Sequence, residues 1–131
     1  MSEEFRLEIV NPEKSFLSKD SIEVVVPAFE GEMGILKNHI SIISFLKPGI
    51  LKVFTKNEQE NFYVEDGILE FKDNVLSILT SDIFSTKNVN REFLNKSITV
   101  AEKELSKEDI NDEKRFILSQ KVETLKSIST I

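Results

Sequence analysis

A chain of 131 residues with 40% hydrophobic and 31% charged side chains has enough apolar material for one packed domain, or a domain with a small appendage, and lies far from the composition of disorder. The net charge of −6 argues against nucleic acid as main partner, because neutralising phosphates takes a Lys/Arg surface, and the absence of cysteine excludes disulfides, thiolate metal sites and cysteine nucleophiles. No apolar stretch approaches the roughly 20 residues of a membrane-spanning helix, and Glu3, Glu4 and Glu8 replace the basic start of an export signal.

Phe5, Leu7 and Ile9 alternate with Arg6, Glu8 and Val10, the period of a half-buried strand. Asn11-Pro12 stops the run, since proline fixes φ and has no N–H to donate. Further runs rich in Val, Ile and Phe follow at 21–26, 40–46, 50–55, 61–64, 68–71 and 75–80. Asp66-Gly67 and Asp73-Asn74 read as hairpin-type turns, where Gly, Asn or Asp tolerates φ > 0. Many short strands with no helix between them predict an antiparallel β-sandwich over residues 1–87.

Between the second and third of these runs lies FEGEMGILKNH, Phe29 to His39, with two of the four glycines, two glutamates and the single histidine. A hydrolytic triad would need His39 as base and Ser41 or Ser44 as nucleophile, but no Gly-x-Ser-x-Gly elbow exists and Ser41 reads as an outward strand residue. Glu30, Glu32 and His39 could bind a divalent ion, yet one imidazole and two carboxylates in a solvated loop are also ordinary surface residues. The two glutamates have no sugar-stacking aromatics beside them, and no phosphate-loop motif is present. The simplest reading is a tightly turned surface: Gly31 and Gly34 permit sharp bends, Met33, Ile35 and Leu36 anchor it, and His39 lies on or near the surface.

After Asn88 the period changes. Leu94, Ile98, Ala101 and Leu105 fall on one stripe of a helix, opposite Glu92, Lys96 and Lys103. A polar break from Ser106 to Asp112 precedes a second stripe, Leu118, Val122 and Leu125. Two such helices form an antiparallel hairpin over 88–131, whose narrow stripes need the sandwich or a partner to cover them. From residue 114 onward Lys114, Arg115, Lys121 and Lys126 face only Glu123, so this end could be drawn to acidic surfaces, although any single charge of this kind more often just solvates its helix.

Val26 to Leu51, VPAFEGEMGILKNHISIISFLKPGIL, resembles the signature of the epsilon subunit of bacterial F-type ATP synthases, called delta in mitochondria: Glu30-Gly31, Gly34, His39 and the Lys47-Pro48-Gly49 turn stand in the family's places. GILEF, Gly67 to Phe71, looks like its next characteristic segment, and the resemblance covers essentially the whole chain. It implies a non-catalytic central-stalk subunit without cofactor or metal, held at the cytoplasmic face of the inner membrane through its complex. The sandwich would bind the gamma subunit and touch the polar loops of the c-subunit ring, with Glu30, Gly31, Glu32, Gly34 and His39 as docking surface. The terminal helices would act as a brake on ATP hydrolysis, extending towards the alpha/beta subunits, with Lys114, Arg115, Lys121 and Lys126 engaged there. A free-standing β-sandwich module binding a protein or small ligand is the alternative.

Two departures qualify this. Some bacterial members bind ATP through an apolar-Asp-x-x-Arg-Ala motif, but here the Asp place holds Asn90 and the Arg place Phe93, which predicts weak or absent ATP binding. Lys37-Asn38 stands where relatives often have Pro and Gly, which leaves the shape of that turn open.

Overall fold

A computed structural model describes residues 3–13, 15–87 and 89–129. The strands are β1 (Phe5–Val10), β2 (Ser15–Ser21), β3 (Glu23–Ala28), β4 (Gly31–Leu36), β5 (Ile42–Leu46), β6 (Gly49–Phe54), β7 (Gln59–Val64), β8 (Gly67–Lys72), β9 (Val75–Thr80) and β10 (Ile83–Ser85), followed by helices α1 (Arg91–Leu105) and α2 (Asp112–Ser129). Asn88, where the hairpin was expected to begin, lies outside the described residues.

The architecture is the expected β-sandwich followed by two helices. Strand β3 shows how it closes. It holds β4 along one edge, while along the other β6 pairs with residues 23–25 and β5 meets it only where Ala28 faces Leu46. The ladder turns a corner there, giving one layer ordered β10-β7-β6-β3-β4 and another ordered β5-β8-β9-β1-β2. All pairings are antiparallel except that of β1 with β9. Alternation then fills the space between layers: Leu7, Ile9, Val24, Val26, Leu51, Val53, Leu69, Phe71, Leu76 and Ile78 are all buried in one core.

The sequence pattern gives no sign of β2, β4 or β10. β2 is a polar edge strand, SFLSKDS, and β4 contains two glycines; both exist because a neighbouring strand pairs with them. The two expected hairpin turns part company. Asp73 and Asn74 join the paired strands β8 and β9 with φ of 52° and 61°, as a primed turn requires. Asp66-Gly67 instead carries the chain from β7 to β8, which sit in different layers, so it is a crossover between sheets.

Helix α1 starts at Asn90, whose side chain accepts a hydrogen bond from the Phe93 N–H at 3.1 Å. Helix α2 starts likewise, with the Asn111 side chain accepting from the Lys114 N–H at 2.8 Å. Most of the expected stripe residues are buried, Leu94, Ile98 and Ala101 on α1 and Val122 and Leu125 on α2, joined by Ile128, whereas Leu105 and Leu118 are only half-buried. They cover the outer face of one layer, forming a second core with Tyr63, Ile50 and Phe84. Register explains the fit, because Ile50 and Phe84 both stand opposite Tyr63 and make an apolar row across β6, β7 and β10.

Candidate protein interface

The segment Phe29 to His39 is not the loop its composition suggests. Phe29 and Glu30 make a tight turn, and Gly31 to Leu36 is strand β4. Gly31 has φ of 138°, and a Cβ there would meet nothing within 4 Å, so the backbone conformation and not space demands glycine. Gly34 does not bend the chain, contrary to expectation. It lies mid-strand opposite Val25, and a Cβ there would come 3.0 Å from a Glu23 carboxylate oxygen.

The strand separates the residues that the sequence groups together. Five steps of about 3.3 Å put the ends of β4 ~17 Å apart. Glu30 and Glu32 belong to the Gly31 end: the Ser44 hydroxyl reaches Glu30 at 3.5 Å, and Lys52 lies 3.6 Å from an exposed Glu32. His39 belongs to the other end, its N–H donating to the Leu36 carbonyl at 3.0 Å. The imidazole stands edge-on to Phe71 at 5.8 Å, and its Nδ1 is 2.7 Å from the Ile40 carbonyl, a contact that calls for the proton on Nδ1. Glu30, Glu32 and His39 therefore cannot share an ion or a substrate. The turn left open by Lys37-Asn38 is also resolved: Asn38 takes φ of 68°, its N–H donates to the Asn74 side chain at 2.7 Å, and the Asn74 amide donates back to the Asn38 side chain at 3.1 Å. An Asn pair tolerant of left-handed backbone does the work of a glycine turn and ties β4–β5 to β8–β9.

What the residue-by-residue reading overlooks is a second apolar row. On the outer face of the other layer Phe45 stands opposite Ile68, Ile68 opposite Leu79 and Leu79 opposite Val10, so four strands present apolar side chains in line. Their exposures are 64%, 37%, 49% and 39%, and Ile43 beside them is 65% exposed. No element of the described chain covers this face, whereas the hairpin covers the equivalent row on the opposite layer. A signal existed: Ile42-Ile43 and Ile68-Leu69 are apolar on both parities of their strands, the pattern of strands buried on both faces.

The four cations near the C-terminus are all engaged within the folded hairpin. Lys114 lies 3.6 Å from Glu104, Lys126 lies 2.9 Å from Glu102, and Arg115 donates to the Leu105 carbonyl at 3.3 Å, where the carbonyl end of α1 favours positive charge. Lys121 reaches across to the sandwich and pairs with Glu65 at 2.8 Å in a half-buried position. Glu65 in turn accepts from the Tyr63 hydroxyl at 2.7 Å. Burial first, then the negative charge and hydrogen bond of Glu65, drives the Tyr63 phenol well above its ordinary value. Nearby, the Phe116 ring rests 5.7 Å from Phe29 with the Lys47 ammonium 5.8 Å above it, and the Thr124 hydroxyl reaches the Pro48 carbonyl at 3.5 Å. Helix α2 is thus fastened to the turns that follow β3, β5 and β7.

Asn90 and Phe93, expected to occupy the Asp and Arg places of a nucleotide motif, both have structural employment. Asn90 caps α1, and Phe93 packs edge-on against Phe84 at 5.7 Å, which itself stacks on Tyr63 at 4.9 Å. Among the described residues no group of three or more His, Cys, Asp or Glu is arranged to hold a metal, and no helix is long and apolar enough to cross a membrane.

Comparison with known proteins agrees with this geometry. Residues 4–86 match the family described as the ATP synthase delta/epsilon chain beta-sandwich domain. The ATP synthase epsilon chain of Pelagibacter ubique is 58% identical over 130 residues, covering 98% of this chain and all of that one. The epsilon chain of Rhizobium meliloti is 31% identical, with 100% and 97% covered. Among solved structures, a chain of the Euglena gracilis mitochondrial ATP synthase superposes with a TM-score of 0.77 at 21% identity, covering 97% of this chain and 82% of that chain. A chain in the central stalk and c-ring of the Tetrahymena thermophila enzyme gives 0.63 at 18%, covering 95% of each, and at such identities these two likenesses establish the fold alone. Sandwich, terminal hairpin and sequence together make this chain a member of the ATP synthase delta/epsilon chain family.

Proposed function

We propose that this chain is a non-catalytic subunit of the central stalk of an F-type ATP synthase, joining the c-ring to the gamma subunit and restraining ATP hydrolysis through its terminal helices. The observation that carries the reading is the uncovered row Phe45, Ile68, Leu79 and Val10. A contiguous apolar strip on an otherwise charged surface is the mark of a protein contact, and the equivalent row on the other layer is covered by the chain itself. Gamma is the partner assigned to this face.

The residues of the sequence motif then serve at two ends of it. Glu30, Gly31 and Glu32 form a tip beside Phe45, and His39 belongs to a tied-down turn a strand's length away, so they contribute to separate contacts with gamma and the polar loops of the ring. Gly34 supports the strand between them. Residues 1–87 act as the docking unit and 88–131 as the regulatory one, membrane attachment at the cytoplasmic face coming only through the complex. In the brake, Lys114, Arg115, Lys121 and Lys126 exchange the internal partners described above for acidic groups of the alpha/beta ring.

The test is size-exclusion of the full chain with purified gamma and the alpha/beta assembly. A stoichiometric complex is expected, lost with Leu79→Asp. Separate elution, with gamma shown to be folded, overturns the reading. For the brake, neutralising all four cations should relieve inhibition of hydrolysis in the assembled complex, and unchanged hydrolysis rejects that part alone.

A further inference from the structure

The uncovered row adjoins the helical hairpin on one side. A groove of about 810 Å³ lies between Phe45, Ile68 and Leu79 on the sandwich and the first turns of α2, which contribute Glu113 and Ile117. A second hollow continues along the same face over Ile43, with Glu8 and Glu70 in its lining. Asp66 completes the charged groups: among the described residues the two hollows are lined by four carboxylates and by no lysine or arginine. Of the contacts that fasten α2 in place, Lys121 on Glu65 lies outside this lining, while Phe116, itself outside it, rests on the lining residue Phe29.

We infer that this groove is a composite docking site for an apolar segment of the stalk partner flanked by lysine or arginine, and that it is complete only while α2 is docked on the sandwich. The inference rests on the stalk reading above. Charge complementarity calls for the flanking cations, since an apolar trough rimmed by four carboxylates repels an acidic segment and attracts a basic one. Continuity with the uncovered row assigns the groove to the partner proposed above for that row. Thermodynamic reciprocity follows: if the docked helix strengthens partner binding by some factor, the bound partner strengthens docking of the helix by the same factor. The partner would thereby hold the hairpin in its folded position, and extension of the helices to engage the brake would weaken the grip on the stalk.

The full-length chain is titrated with the purified gamma and alpha/beta assembly, and hydrogen exchange over residues 112–129 reports whether α2 is docked. Phe116→Ala with Lys121→Ala, which substitutes no residue of the groove lining, should release the helix and raise Kd about tenfold, within the usual range of such coupling. Leu125→Asp, which places a carboxylate in the seam between hairpin and sandwich, is a second releasing variant and should do the same. Glu113→Lys with Ile117→Lys should raise Kd comparably with the helix still docked, and should flatten the dependence of Kd on salt. In the unaltered chain, α2 amides should exchange more slowly once the partner is bound. If both releasing variants leave Kd unchanged or lower it while Leu79→Asp weakens binding, the composite groove is overturned and the stalk reading stands. If Leu79→Asp binds as tightly as the unaltered chain, the uncovered row is not the docking face and both fall.

Discussion

At the scale of single residues, two glycines are required for different reasons, and their replacement separates those reasons. A Cβ on Gly67 would lie 2.2 Å from the Leu79 carbonyl oxygen and 2.9 Å from the Thr80 Cα, backbone atoms of the partner strand that cannot swing aside. At Gly31 only the left-handed φ resists a side chain. Gly67→Ala should therefore cost about 3 kcal/mol or more and Gly31→Ala about 1 kcal/mol, read as a difference in urea midpoint at equal slope. Tyr63 offers a second measurement, because it is the only tyrosine and the chain has no tryptophan. Its phenol is held neutral by burial and by Glu65, so the folded state keeps a proton that the unfolded chain gives up near pH 10. Stability from this source is complete below about pH 10 and is lost as pH rises above it. Tyrosinate absorbance should then appear together with unfolding and not before it, while an ordinary titration of the folded protein near pH 10 would contradict the buried assignment.

At the scale of elements, the hairpin is held by contacts of modest individual strength spread along its length. Lys121 with Glu65 and Phe116 between Phe29 and Lys47 are each worth about 1 kcal/mol. Phe116→Ala should accordingly raise hydrogen exchange in α2 while leaving β8 and β9 protected, and equal acceleration in both would mean that the helices and sandwich open as one unit. The N-cap belongs to this scale too. Asn90→Ala should cost about 1 kcal/mol of α1 stability, the role this residue has in place of a nucleotide contact. Calorimetric titration with ATP is expected to show weak or no binding, and tight binding would show that the Asp and Arg replaced here by Asn90 and Phe93 are dispensable for it.

At the scale of the whole molecule, the sandwich has two outer faces that began with the same kind of apolar row and met different fates. Ile50, Tyr63 and Phe84 lie beneath the chain's own helices; Phe45, Ile68, Leu79 and Val10 face outward. Burying one large apolar side chain is worth about 1.5–3 kcal/mol, so the second row is a standing source of affinity for a partner and of self-association without one. Light scattering of the isolated chain should show concentration-dependent association that Leu79→Asp suppresses without lowering thermal stability. Monodisperse behaviour at high concentration would indicate that the polar residues around the row suffice to keep it solvated.

Much of this was legible in residue order. Alternation in Phe5 to Val10 and Val75 to Thr80 set those strands to the residue, the change of period after Asn88 announced the helices, and the motif around Glu30-Gly31 and Lys47-Pro48-Gly49 pointed to the family. These signals are carried by short continuous stretches of the chain. The rest depended on pairing between distant segments. Whether the glycine-bearing Gly31 to Leu36 is a loop or a strand is decided by β3 lying beside it, and whether Asp66-Gly67 is a hairpin or a crossover by which layer receives β8. The uncovered row is the clearest case, since Val10, Phe45, Ile68 and Leu79 are scattered along the chain and become a surface only through register across four strands. The sequence by itself determined the kinds of element and the family; the tertiary structure alone decided which apolar side chains the molecule covers and which it leaves exposed, because burial is a property of pairs of faces and not of residues.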